Sequence, residues 1–273
     1  MGTVAVYRRA HKGAATYPSC MGTALVTGAT SGLGEEFCWQ LAAAGHDLVL
    51  VARREKLLNA LADSLRQIAN VKAEVIVADL SKLEDCERVA ARIDQETAPV
   101  GLLVNNAGFG LGKPFPDNDL ATELGGLDVM VRAVMILSHH AARAMRARGR
   151  GAILNVASVA SRTGAGTYSA HKAWVVAFTE GLSEELRGTG VTTTVVCPGP
   201  VKTAFFENAG VDVSHAPASA MATPEQVCAE ALDAVRRARV IITPTPVFKV
   251  AMAAMKIAPR WATRRVMRTV PHM

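Results

Sequence analysis

From residue 22 onward, short runs of apolar residues alternate with longer stretches in which apolar positions recur at helical spacing. The runs Leu102-Leu103-Val104 and Thr194-Val195-Val196 suit strands of a parallel sheet covered by helices on both faces. The pattern predicts strands near 23–28, 47–52, 73–78, 100–105, 151–156, 192–197 and 239–242. Helices are predicted near 33–44, 55–69, 83–97, 118–148, 168–188 and 224–237. Regular alternation of the two makes the chain an α/β protein with a doubly wound sheet.

The two ends of the chain differ from this body. Residues 1–20 follow neither period and read as a flexible extension. Residues 244–273 mix apolar positions such as Phe248, Met252 and Trp261 with Lys249, Lys256, Arg260, Arg264, Arg265 and Arg268, and read as a basic amphipathic helical tail. Such a tail suits peripheral contact with an anionic membrane surface or an extension of the substrate pocket, and equally a surface helix packed on the domain or a partner subunit. The net charge of +6 resides in these ends, and the body is mildly acidic, which argues against nucleic acid as a partner. No run of apolar residues is long enough to span a membrane, and the N-terminus lacks a secretory pattern. Five scattered cysteines, without paired spacing, fit a reducing cytoplasm. His139, His140 and His171 lack metal-ligand spacing and read as helix-surface residues.

Candidate chemistry begins at the first strand–helix junction, Thr27-Gly28-Ala29-Thr30-Ser31-Gly32-Leu33-Gly34. Three glycines there allow a tight turn, close backbone approach to a diphosphate and tight helix packing, although a plain strand–helix turn also uses glycine. The free N–H groups of the helix that follows favour an anion. Thr30, Ser31 and Leu33 belong to the same candidate cofactor site. The expected architecture is a single doubly wound Rossmann domain over 21–243, with a seven-stranded, mostly parallel sheet and the C-terminal tail appended.

At the second strand tip Ala52 stands where an acid would bind a ribose 2′-hydroxyl, and Arg53 and Arg54 follow. Arginine there accommodates a 2′-phosphate, so the expected cofactor is NADP; simple solvation of a strand–helix corner is the alternative. Asp79 and Leu80 end the third strand, where Asp79 either accepts from an adenine amino group or caps the next helix. Asn105-Asn106-Ala107-Gly108 ends the fourth strand at the ligand-binding edge, a composition that suits a ligand-lining turn or any turn.

Tyr168 and Lys172 lie four positions apart, on one face of a helix. A phenol titrates near about 10, and bringing it near neutrality requires about 4 kcal/mol of differential stabilisation. A neighbouring ammonium has the right sign to supply it. Ser158, after the strand ending at Val156, is placed to orient a substrate oxygen.

Together these segments, with Asn155-Val156-Ala157-Ser158 and Pro198-Gly199-Pro200-Val201-Lys202-Thr203, resemble the short-chain dehydrogenase/reductase family over about 22–242, in the family's order. The resemblance implies carbonyl–alcohol interconversion with Tyr168 as general acid, Ser158 polarising the carbonyl, and Lys172 lowering the Tyr168 pKa and holding the nicotinamide ribose. It further implies that Pro198, Gly199 and Val201 shape the nicotinamide pocket, that Thr203 bonds a carboxamide or phosphate, and that the protein is a homodimer or homotetramer. Residues 204–223 would form a lid, with few polar anchors, over a lipophilic substrate. Two features depart from the family. Met130 stands where an Asn usually supports a water in the proton relay, and Ser158 lies closer to Tyr168 than is usual. Met130 motivates a rival reading, a catalytically weak nucleotide-binding relative that serves as a redox sensor or interaction module.

Overall fold

Seven strands, β1 (Thr23–Thr27), β2 (Leu48–Ala52), β3 (Ala73–Val77), β4 (Val100–Asn105), β5 (Gly151–Val156), β6 (Val191–Val196) and β7 (Ile241–Ile242), form one sheet in the order β3-β2-β1-β4-β5-β6-β7. Every pairing in it is parallel. The computed structural model describes residues 22–164, 166–203, 205, 221–245, 248–250 and 252. The expected extension, most of the lid and most of the tail lie outside the described residues.

The helices are α1 (Gly32–Ala43), α2 (Glu55–Ala69), α3 (Leu83–Ile93), α4 (Leu120–Leu127), α5 (Ala133–Arg148), α6 (Gly166–Glu185) and α7 (Pro224–Arg236). Alternate strand residues serve opposite layers. Ala24, Val26, Leu48, Leu50, Leu102 and Leu154 face the layer of α1, α2 and α7, while Leu25, Val49, Val51, Leu103 and Ile153 face α3 and α5. Each fully buried Leu or Val contributes about 1.5–3 kcal/mol, so burial on both faces holds the central strands. Local chemistry sets the helix boundaries. Thr223 caps α7 by accepting from Gln226 N–H, with Pro224 at the first helical position, and Gly149 ends α5 in the left-handed region at φ 68°.

The helix predicted over 118–148 is interrupted. Between α4 and α5 the chain makes a π-helical turn, Asp128–Arg132. Arg132 holds it, pairing with Asp128 at 3.0 Å and donating from Nη2 to Ser81 O at 2.7 Å. This turn carries Met130 inward, where it is fully buried. No described helix is long and apolar enough to cross a membrane.

Sequence order places β4 beside β1, so the chain winds outward in both directions from that pair and a crevice opens at their carboxyl ends. Thr27 stitches the crevice floor. Its hydroxyl accepts from the N–H groups of Asn106 (3.0 Å) and Ala107 (3.1 Å) and donates to Val104 O.

Candidate active site

The glycine turn between β1 and α1 is shaped by what cannot fit there. A Cβ on Gly34 would stand 2.1 Å from Gly28 O and 2.5 Å from Asn106 Nδ2, so α1 approaches β1 as closely as backbone allows. Gly28 adopts φ +67° and would meet Ala107 Cα at 3.0 Å. Ser31 precedes α1 without using its side chain as a cap, which leaves the first N–H groups of the helix available to an anion. Gly32 lies under Thr203, whose Cγ2 would be 3.3 Å from a Cβ there, so the segment after β6 closes over the turn. Thr30 and Leu33 are half-buried along the same turn. This cradle fits a dinucleotide pyrophosphate.

At the tip of β2 the two arginines separate in role. Arg54 Nη2 donates to Thr30 O and Oγ1 at 3.1 and 3.0 Å, tying the β2 tip to the glycine turn. Arg53 is exposed and has no hydrogen bond or ion pair among the described residues. Among the described residues it is left as an unpaired cation at the tip of β2.

Asp79 Oδ1 accepts from the N–H and hydroxyl of Ser81 at 3.1 and 2.8 Å, and so shapes the turn after β3. It does not cap α3, whose N-cap is Lys82. The Leu80 side chain is buried in the core. Of the asparagine pair, Asn106 donates to Thr27 O at 2.9 Å and closes the crevice floor. Asn105 donates to Asn155 Oδ1 (2.9 Å) and Ser138 Oγ (3.0 Å), and Asn155 donates to Thr179 Oγ1 (2.9 Å). These side chains build the site from behind rather than line it, a satisfied buried network joining β4, β5, α5 and α6. Ala107 and Gly108 remain at the crevice, and Gly108 is exposed. Pro198 O accepts from Val159 N–H at 2.9 Å, Gly199 packs beneath the Phe248 ring, and Val201 is buried beside Ala222. The 198–203 segment therefore borders both the glycine turn and the Ser158 turn.

Ser158, Tyr168 and Lys172 come together at the carboxyl edge of β5 and the start of α6. Ser158 begins a 3₁₀ turn (Val159–Arg162), with its hydroxyl accepting from Ala160 N–H at 3.1 Å. The Ser158 side chain also stands beside the Tyr168 phenol, where it favours the phenolate. Lys172 Nζ lies 5.7 Å from the Tyr168 ring centroid and donates to Val156 O at 2.8 Å. Tyr168 and Lys172 are 5% and 4% exposed, and that burial governs their titration. Burial pushes the Tyr168 phenol well up, opposed by Ser158. It pushes the Lys172 ammonium down to about 8, against the nearby Cys197. In the chain by itself burial governs both titrations, opposed at Tyr168 by Ser158 and at Lys172 by Cys197. The phenol is the stored form, which is the acid a reduction consumes.

Met130 sits at this site. A Cβ on Gly108 would stand 3.4 Å from both Lys172 Nζ and Met130 Cγ, and 3.5 Å from Met130 Sδ. A thioether offers only a weak acceptor there. Leu111, Met130, Ala160 and Tyr168 form one apolar cluster, with Phe109 and Phe205 packed on it. The rings of Tyr168 and Phe205 are 5.9 Å apart. Sequence reasoning missed Thr27, Ser138 and Thr179, which position the site, and misplaced His171, which is buried rather than on a helix surface. Thr27 has a signal at its strand end beside the first glycine; the others carry none, because only folding brings their partners together.

A cleft with an open phosphate cradle on one side and a buried phenol–hydroxyl–ammonium cluster on the other defines a nucleotide-dependent oxidoreductase. A family model described as short chain dehydrogenase matches residues 22–213. The sulfoacetaldehyde reductase 2 of Chromohalobacter salexigens is 37% identical over 186 residues, 66% of this chain and 73% of that protein. The short-chain dehydrogenase from Sphingobium yanoikuyae, solved in complex with NADPH, aligns with a TM-score of 0.80 at 29% identity, over 91% of this chain and 96% of that one. A 7β-hydroxysteroid dehydrogenase structure aligns with a TM-score of 0.83 at 28% identity, over 91% and 97%. The chain belongs to the short-chain dehydrogenase/reductase family.

Proposed function

We propose that this protein reduces a lipophilic ketone to a secondary alcohol with NADPH, and runs the reverse reaction with NADP. The observation that carries the reading is the buried Tyr168–Ser158–Lys172 cluster facing a glycine cradle at one sheet edge. The turn at Gly28, Gly32 and Gly34 and the N-terminus of α1 would hold the pyrophosphate, Arg53 the 2′-phosphate, and the 198–203 segment the nicotinamide end. NADPH, when bound, supplies the hydride to the carbonyl carbon. Ser158 donates to the carbonyl oxygen and orients it. Tyr168 gives that oxygen its hydroxyl proton, and the Lys172 ammonium favours the phenolate left behind. The apolar surround of Leu111, Met130 and Phe205 excludes water and selects a lipophilic partner. Purified protein should consume NADPH only when such ketones are added; no consumption across a broad ketone panel would sink the proposal.

Two expected outcomes arise here. Arg53→Ala should weaken NADPH relative to NADH by about ten- to a hundred-fold, the worth of one charge-assisted contact of about 1.5–3 kcal/mol. Equal thermal stabilisation of the wild type by the two cofactors would contradict the role. The second concerns pH. Lys172 is charged below about 8 and neutral above it, whereas Tyr168, raised by burial, keeps its proton across that range. The kcat/KM for reduction should therefore fall as pH rises through about 8, on one limb; a level profile through that value would remove Lys172 from the chemistry.

Met130 favours a second reading, a nucleotide-binding relative with little turnover. It requires cofactor binding at normal strength with no substrate-dependent NADPH consumption, which the ketone panel distinguishes.

A further inference from the structure

Two buried polar side chains beside the Tyr168 cluster have no part in the chemistry above. Glu123 on α4 and His171 on α6, adjoining helices, are each 5% exposed. Glu123 Oε1 accepts from Asn118 Nδ2 at 2.7 Å, and the same nitrogen donates to Leu111 O at 3.3 Å. Glu123 Oε2 and His171 Nδ1 have no hydrogen-bond partner among the described residues. The two groups sense each other: burial lowers the His171 pKa, Glu123 opposes the fall, and Lys172 adds to it. A buried orphan oxygen and a buried orphan ring nitrogen within electrostatic reach are the setting in which a protein holds an internal water.

The other end of this chain of contacts reaches the substrate side. Leu111 is buried, shares the apolar cluster of Tyr168, and is wedged against α4 at Gly126. A Cβ on Gly126 would stand 2.8 Å from Leu111 Cδ2, 3.4 Å from Met130 Cε and 3.5 Å from His171 Cε1. Gly126 thus gives Leu111 its seat, and the Glu123–Asn118 bridge holds the Leu111 backbone in it. The segment from 109 to 118 contains only a 3₁₀ turn, Phe115–Asp117, so side-chain ties of this kind fix its course.

We infer that Glu123 is a positioning residue: through Asn118 it latches the 109–118 segment so that Leu111 stands as a fixed wall beside Tyr168, and this latch sets the size of ketone admitted. The inference rests on the proposed reduction for its consequence and on geometry alone for the latch.

The test compares Glu123→Ala, Glu123→Gln, Asn118→Ala and Leu111→Ala with the wild type by two readouts. Hydrogen exchange of the 109–118 amides needs no turnover. It should accelerate in Glu123→Ala and in Asn118→Ala, a half-buried loop position that breaks the latch without emptying the helix interface. Glu123→Gln should keep wild-type protection, since its amide oxygen still accepts from Asn118. The second readout is kcat/KM for benzophenone against butanone. Glu123→Ala and Asn118→Ala should shift that ratio about tenfold toward benzophenone through its KM, with kcat for butanone within about twofold, and Leu111→Ala should shift the ratio in the same direction. Unchanged exchange in Glu123→Ala and Asn118→Ala overturns the latch, as does loss of protection in Glu123→Gln. Faster exchange with an unchanged ratio overturns the selection role. A wild type that reduces neither ketone contradicts the proposed function instead, and the exchange measurement still decides the latch.

Discussion

Tyr168→Phe should lower the kcat of ketone reduction by about 10²–10⁴-fold, the usual worth of a positioned general acid, while the NADPH Kd changes by less than about threefold, under 1 kcal/mol. The expectation follows from what the substitution removes. The ring of Tyr168 packs with Leu111, Met130 and Ala160, and Phe keeps all of that contact. Lys172 keeps its bond to Val156 O. Only the hydroxyl and its interaction with Ser158 are lost, a change of at most about 0.5–1.5 kcal/mol in stability. The cradle around Gly28 and Gly34 is untouched. Steady-state kinetics together with a fluorescence titration of NADPH check both halves. A variant retaining more than a tenth of the activity would mean that another group donates the proton.

Gly34→Ala should abolish both NADPH-induced stabilisation and turnover, and should lower Tm by several degrees without cofactor. The added Cβ falls 2.1 Å from Gly28 O and 2.8 Å from Gly28 C, so backbone must yield to backbone. Overpacking of this kind costs about 1–3 kcal/mol or more, at about 2–4 °C per kcal/mol in a domain of this size. Moving α1 off β1 also withdraws the N–H groups that would meet the phosphates. At a cofactor concentration of about 100 times Kd the wild type should gain about 2.7 kcal/mol from binding, and the variant almost none. Gly181→Ala is the matched control: nothing lies within 4 Å of a Cβ there, in the middle of α6. It should stabilise by about 0.5–1 kcal/mol. Differential scanning calorimetry with and without NADPH reads all of these, and equal Tm changes for the two variants would contradict the steric account.

The fold was legible because its determinants are local. Unbroken apolar runs at Ala24-Leu25-Val26 and Leu102-Leu103-Val104 mark strands buried on two faces, and helical spacing between them leaves few other architectures. Boundaries agreed to within a few residues, except where tertiary contacts decide. The predicted helix at 83–97 stops at Ile93, and the strand near 239–242 contracts to Ile241–Ile242. The π turn at Asp128–Arg132 depends on Arg132 reaching Ser81, a contact that no local pattern encodes.

The site was legible by kind and less so by energy. Gly34, Arg53, Ser158, Tyr168 and Lys172 stand out as candidates in the sequence because each proposed role restricts the residue type. The titration of Tyr168 could not, since it depends on burial by Leu111, Met130 and Ala160, which come from three other parts of the chain. Arg53 and Arg54 look equivalent in sequence, yet only folding sends Arg54 to Thr30 and leaves Arg53 free. Asn105 and Asn106 suit a ligand-lining turn or any turn by sequence, and the bracing by their side chains is not legible there because their partners Asn155 and Thr27 lie far away in sequence. For the same reason Glu123 carries no signal in the sequence, and His171 reads as a surface residue although it is buried.

The account turns on hydride and proton delivery to one carbonyl beside Tyr168, and isotope transfer measures this directly. NADPH deuterated at the nicotinamide C4 should be incubated with the protein and a lipophilic ketone, and the alcohol examined by mass spectrometry. The expected result is deuterium at the carbinol carbon from one face of the nicotinamide only, absent in Tyr168→Phe. Tight NADPH binding with no label reaching any ketone would contradict it.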